Sequence, residues 1–305
     1  MTVYINDQMV EEPPNSCTYM AYLEGQCDSL DMVFDDSEGK IRALELEKGD
    51  TVQVLEGNID TGEMYISGID YSGTQAAIRA LSLPLSAFRT ESGSWENVTL
   101  PAVISEVLED TDLDIEYIDR PDYTYKELTR LEEDPLKFIS GKLNLEGYGI
   151  RVNNNTVYIF DERKLESEDY VLQMTEEMFD RAPEYSTKDS RLVSRVENSY
   201  KTPEGTAIST IEQSGLEGKI LRLNMPVSTV GESIRFSKGM MRAANKYEFL
   251  TQGTVENLDR KPGEIIYLSD APKGHTGENL IYMIKNDLGS DMQTLYMRRP
   301  IEGDY

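Results

Sequence analysis

The stretch Lys48–Ile69, KGDTVQVLEGNIDTGEMYISGI, decides how this chain is read, because Lys261–Ile284, KPGEIIYLSDAPKGHTGENLIYMI, repeats its plan. Each segment sets a glycine before an acid, then an alternating apolar run, a polar loop ending in Thr-Gly-Glu, and a second apolar run. Aligning Gly49 with Gly263 places Val52 on Ile266 and Val54 on Leu268. Those are one face of a strand, since side chains alternate with period two. One added residue in the second loop brings Thr61-Gly62-Glu63 onto Thr276-Gly277-Glu278, Tyr65 onto Leu280 and Ile69 onto Ile284. A turn at Gly73 or Gly289 follows, then a last alternating strand, AAIRALSL or MQTLYMRR. Any two β-meanders share some of this. The shared order and spacing predict duplication of a barrel or sandwich module.

Around the first copy, DMVF, IRALEL, TVQVL, MYISGI and AAIRALSL read as five strands punctuated by Gly39, Gly49, Gly57, Gly62 and Gly73. The pattern then changes to a helix in NVTLPAVISEVLED, with Thr99 as N-cap and Pro101 near its start, and to a strand in LDIEYID. A second helix begins at Asp134-Pro135 and stops at Gly147, and YGIRVNNNTVYIF follows as a hairpin across an Asn turn. From Tyr170 the strands YVLQM, RLVSRVENSY, TAISTIEQ and KILRLNM return, and an amphipathic helix covers roughly Val230 to Tyr247. The first 30 residues lack a clear period and are broken by Pro13-Pro14, which predicts an arm ordered only on assembly. The fold class expected is therefore mainly β with an α/β insert: an arm at 1–30, a first β-barrel module at 31–95, a helix-strand domain at 96–165, and a second β-barrel module with one helix at 166–305.

Acidic residues outnumber basic ones 56 to 30, a formal charge of −26. Such a surface repels phosphate backbones and anionic membranes, so DNA is expected to pass it rather than be gripped. No apolar run reaches the ~18 residues a membrane helix needs, and MTVYINDQMVEEPP does not read as a signal peptide. Cys17 and Cys27 are expected as free thiols, and with one histidine, His275, no metal site is expected. The carboxylate runs Asp35-Asp36, Glu132-Glu133-Asp134 and Glu176-Glu177 supply the raw material of a glycosidase pair, but they fall in polar loops and helix starts. FDDSEG lacks the alternating oxygen ligands of a calcium loop and reads as a turn. His275 reads as a surface-loop residue, Ser72 has no nucleophile elbow around it, no Walker-type loop occurs, and Trp95 reads as a core or boundary anchor. No catalytic, cofactor-binding or metal-binding residue is assigned. The remaining alternatives are an acidic-site glycoside hydrolase and a carbohydrate- or receptor-binding β protein.

The whole order, KGDTVQV in a first β module, FRTESGSWENVTLPAVISEVLED and YTYKELTRLEEDPLKFISGKLNLEGYGIRVNNNTVYIFDE between, then GESIRFSKGMMRAANKY, KPGEIIYL and LYMRRP, resembles the phage late-control D or baseplate (tail) hub family. It is similar also to the hub half of type VI secretion spike proteins. The likeness spans about residues 30–300 and rests on order and spacing, with no single diagnostic motif. It implies a non-enzymatic virion structural protein without cofactor, a homotrimer of tube-type barrels whose pseudo-six-fold ring joins a hexameric tail tube to a three-fold spike. It also implies other baseplate proteins as partners, assembly in the bacterial cytoplasm and no membrane insertion. Many relatives continue into a spike, a needle or a cell-wall hydrolase; here Tyr305 comes directly after the last barrel strand, so the tip is expected on another polypeptide.

Overall fold

The computed structural model describes every residue except Gln26, Asp189, Ser190 and Asp304. The first module is built from β1 (Thr2–Ile5), β2 (Gln8–Met9), β3 (Ser16–Tyr22), β4 (Ser29–Asp35), β5 (Thr51–Glu56), β6 (Ile59–Asp60), β7 (Met64–Ser72) and β8 (Gln75–Leu81). Its six main strands lie in the order β1-β5-β7-β8-β4-β3. Alternate residues turn inward, so Val3, Tyr19, Leu30, Met32, Phe34, Val52, Met64 and Ile78 share one core. Residues 1–30 are thus not an arm: β1 pairs with β5 from Thr2↔Leu55 to Ile5↔Val52, and β3 pairs with β4. IRALEL is not a strand either. The buried Asp36 side chain accepts the Ile41 amide at 2.7 Å, and Arg42–Leu44 make a single 3₁₀ turn.

The insert follows as β9 (Glu91–Thr99), α1 (Leu100–Leu108), β10 (Asp114–Tyr117), β11 (Thr124–Glu133), α2 (Pro135–Glu146), β12 (Tyr148–Asn153), β13 (Thr156–Asp161) and α3 (Glu162–Glu166). Asp134 caps α2 through the Lys137 amide at 2.8 Å, and Gly147 ends it at φ +81°, the left-handed stop its position requires. Asn154 and Asn155 turn the β12–β13 hairpin at positive φ. The expected module boundary at residue 95 falls inside β9, which runs unbroken as a two-stranded ribbon with β11. Trp95 is half-buried on that ribbon and stacks on Phe138 at 5.7 Å.

The last segment contains β14 (Leu172–Met174), β15 (Glu184–Thr187), β16 (Val193–Lys201), β17 (Ala207–Gln213), β18 (Lys219–Leu223), α4 (Val230–Asn245), β19 (Phe249–Glu256), β20 (Ile265–Leu268), β21 (Gly277–Leu288) and β22 (Met292–Arg298). The small β17-β16-β18 sheet and α4 turn toward the insert: Ile208 and Phe236 join Tyr125, Ile139 and Leu143 in its core. At Gly239 a Cβ would meet the Asn144 and Leu145 carbonyl oxygens at 2.5 and 2.4 Å, so only glycine lets α4 lie so close to α2.

What remains, β14-β20-β21-β22-β19-β15, has the strand order of the first module. In each copy the first strand in the chain lies beside the fourth, the fourth to sixth form a meander, and the sixth lies beside the third, which lies beside the second. Register agrees residue by residue. The seven pairs from Ser29↔Leu81 to Asp35↔Gln75 correspond to the seven from Leu250↔Arg298 to Glu256↔Met292. Thr51↔Tyr65 corresponds to Ile265↔Leu280. The meander bulges after Ile66↔Ala80 in one copy and after Ile281↔Met297 in the other, at aligned positions. The turn before it repeats as well. Gly49 (φ +95°) donates to Ile66 O and Gly263 (φ +101°) to Ile281 O, both at 2.8 Å. The copies differ in their first strand, since β1 runs antiparallel to β5 whereas β14 runs parallel to β20.

Candidate assembly surfaces

Neither copy closes upon itself through pairing among the described strands. Instead β3 of the first copy pairs along β21 of the second, from Cys17↔Leu288 to Tyr22↔Met283, and merges both into one 14-stranded sheet. Among the described residues the path of that sheet ends at β15 on one side and at the β1–β2 ribbon on the other, while β14 branches off as a further edge beside β20. An edge of unpaired amides and carbonyls is a template for another strand. Beside the β2 margin, Ile5, Met9, Val10, Ile41, Leu44 and Leu46 line a groove of about 430 Å³ in which Met9 and Leu44 stay exposed.

The face of the sheet opposite the cores is acidic. Register puts Asp31, Asp35, Asp70, Glu184, Glu256 and Asp287 on it, against Arg79, Lys285 and the buried Arg298. The two that reach the surface are taken locally, Arg79 by Asp70 at 2.5 Å and Lys285 by Asp287 at 2.9 Å.

A buried ionic cluster ties the parts together. Glu24 follows β3, Glu162 and Glu166 lie on α3, Arg242 and Lys246 lie on or just past α4, and Arg298 ends β22; all six are nearly inaccessible. Arg242 contacts Glu162 at 2.9 Å and Glu166 at 2.5 Å, Lys246 contacts Glu162 at 2.9 Å and also Glu24, and Arg298 contacts Glu166 at 2.5 Å and Glu24 at 3.4 Å. Three carboxylates face three cations, so the cluster is neutral when all are ionised. Burial first, then the Glu162 carboxylate, push the Glu24 carboxyl up to about 7. Burial pushes Glu162 upward too, but Lys246, Glu24, Arg298 and Arg242 outweigh it and hold its carboxyl well below the usual range. Removing one partner from such a cluster is costly, because it leaves a buried charge uncompensated.

The residues singled out from sequence do not converge. Asp35 and Asp36 shape the turn after β4, Glu132 and Glu133 end β11 while Asp134 caps α2, and Glu176-Glu177 open a 3₁₀ turn. His275 is the exception to its reading as a surface residue: it is 4% exposed, packed between Tyr185 and Phe249, with Nδ1 3.3 Å from Thr251 Oγ1. Burial and then Arg299 lower its pKa. Its neighbours come from β15 and β19, far off in sequence, so no local pattern signals the burial. A cleft of about 630 Å³ between both modules and the insert is bordered by Asp60, Asp119, Glu168 and Glu264. Asp119 there is held low, first by its hydrogen bond from Lys164, the reverse of the raised carboxyl a glycosidase acid needs. Among the described residues no group of three or more His, Cys, Asp or Glu could hold a metal ion, and Cys17 and Cys27 are free.

The sequence matches no protein-family model and no curated protein. Its structure is similar to solved structures. The 43 kDa tail protein of prophage MuSo2 from Shewanella oneidensis superposes with TM-score 0.77 over 99% of each chain at 12% identity. A tail protein from Neisseria meningitidis MC58 gives TM-score 0.77 at 10% identity, covering 97% of this chain and 95% of that one. An E. coli component of the type VI secretion system, described as similar to the T4 bacteriophage tail proteins gp27 and gp5, gives TM-score 0.60 at 13% identity, covering 97% and 76%. The fold is therefore one that phage tail and type VI secretion proteins share.

Proposed function

We propose that this chain is the baseplate hub of a phage or phage-tail-like contractile particle, a homotrimer whose six β copies form a pseudo-six-fold ring between a hexameric tail tube and a three-fold spike. The observation that carries this reading is the junction between copies: one chain already joins two modules of equal strand order edge to edge through β3 and β21. A head-to-tail contact of this kind repeats until it closes or runs on as a filament. Three chains of two copies meet a six-fold partner on one side and remain threefold on the other. The likeness to tail proteins over nearly the whole chain supports the same role. Within the ring, residues 31–95 and 166–305 supply most of each barrel and 96–165 the outer α/β part. The acidic sheet face lines a lumen through which DNA passes without being held. Work is done by assembly rather than catalysis, inside the bacterial cytoplasm before the particle is released, with tube, spike and other baseplate proteins as partners. Deleting the gene in a producing strain tests this. Particles without spikes, or tubes without baseplates, are expected; intact particles lacking the chain contradict it.

A further inference from the structure

We infer that the subunits of the ring join by pairing β15 of one chain, antiparallel, with the outer half of β7 of the next, in the register Ile69↔Thr187, Asp70↔Ser186, Tyr71↔Tyr185 and Ser72↔Glu184. This rests on the ring reading above and names the contact that closes it. The register follows from the repeat. By the pairings already given, β7 maps onto β21 so that Ile69 matches Ile284, and β3 maps onto β15 so that Met20 matches Ser186. Within the chain, β3 lies on β21 with Ala21↔Ile284, Met20↔Lys285, Tyr19↔Asn286 and Thr18↔Asp287. Carrying that contact one copy further gives the four pairs.

Both strands needed are open in the single chain. Among the described residues β15 pairs only with β19. On its side away from β8, β7 pairs among the described residues with β5 at Met64 and Tyr65 and with no strand from Gly68 to Ser72, which leaves that stretch with a free edge. Exposure points the same way. Ile284 and Asn286, covered by β3, are 1% and 4% exposed, while the equivalent Tyr71 is 43% exposed and Ile69 is half-buried. On the other strand Tyr19 and Ala21 are 5% and 4% exposed, while Tyr185 is half-buried and Thr187 exposed. The first copy lacks what the second already has: a neighbour's second strand laid over its bulged fifth. A second copy of this chain is the occupant of matching shape.

Pair geometry selects the test. Leu23 N donates to Tyr282 O, so Tyr22↔Met283 and, two residues on, Met20↔Lys285 are pairs without mutual hydrogen bonds. Asp70↔Ser186 is their counterpart, with Cα atoms expected about 4.5 Å apart, inside disulfide reach of about 4.4–6.8 Å. Both side chains are exposed, so Asp70→Cys with Ser186→Cys leaves the core intact. Oxidising the purified full chain should turn single chains into covalent oligomers that reduction dissolves, with peptide masses locating the bond between positions 70 and 186. The diagonal pair, Asp70→Cys with Glu184→Cys, should give at least about tenfold less product, since diagonal neighbours sit about 7–8 Å apart. If mass shows an oligomer but the direct pair cross-links no better than the diagonal one, this pairing is overturned and the ring stands. A chain that stays single at every concentration overturns both.

Discussion

Glu162→Gln is the most informative single change in the buried ionic cluster. Glu162 is 3% exposed and bonds both Arg242 and Lys246 at 2.9 Å. Removing its charge leaves Glu24 and Glu166 facing Arg242, Lys246 and Arg298, a buried excess of one positive charge. Breaking a buried pair from one side costs about 3–5 kcal/mol. Gln keeps the shape and one acceptor, so the lower end, about 3 kcal/mol, is expected. The surface pair Asp70–Arg79, whose side chains are 63% and 60% exposed, provides the contrast: Asp70→Asn should cost under about 1 kcal/mol. Urea unfolding followed by circular dichroism and by Trp95 fluorescence measures both. Because the cluster joins β3, α3, α4 and β22, the two signals should separate in Glu162→Gln, the insert and the β modules no longer unfolding together. A loss no larger than that of Asp70→Asn, with coincident signals, would refute the view that this cluster holds the modules in place.

Three further outcomes are expected. Glu24 titrates at about 7 in the fold and near about 4.3 unfolded. The fold thus prefers its protonated form, and that stabilisation, complete below the unfolded value, fades as pH rises through about 7. Thermal midpoints should therefore fall less between pH 5 and 8 in Glu24→Gln than in the native chain, and equal slopes would count against the assignment. Gly239→Ala sets two effects against each other: helix propensity favours Ala by about 1 kcal/mol, while the close Asn144 and Leu145 carbonyls predict an overpacking loss of about 1–3 kcal/mol. A lower denaturant midpoint is expected. The native chain should not retard duplex DNA in a gel at about 0.1 M salt, whereas Asp31→Lys, Asp70→Lys and Asp287→Lys together should produce binding that weakens steeply with salt.

The second half of each copy was legible because its inward residues are strongly apolar and its turns carry glycine. Val52, Val54, Met64 and Ile66 alternate with polar neighbours, and Gly49 and Gly263 occupy a left-handed conformation that glycine favours. In the first half only DMVF, in β4, and YVLQM, at β14, were legible as strands. In β3, SCTYMAY, the inward side chains are Cys17, Tyr19 and Ala21, while Met20 and Tyr22 face outward, so the contrast that betrays a strand is erased. In β19 the inward positions include Thr251 and Gly253, equally silent. The failure to see β3, β15 and β19 shares this cause; β1, TVYI, has apolar Val3 and Ile5 inward but is only four residues long. The ionic cluster was invisible for another reason: its acids and bases come from four segments spread from Glu24 to Arg298, and each alone looks like a solvated charge.

The size of the assembly tests the central claim most directly. Native mass spectrometry of the purified chain, alone and with its tube and spike partners, should find three copies, about three times 34.6 kDa. A single chain under every condition, or a closed ring of six, would contradict an account in which two β copies per chain let a threefold particle present a sixfold face.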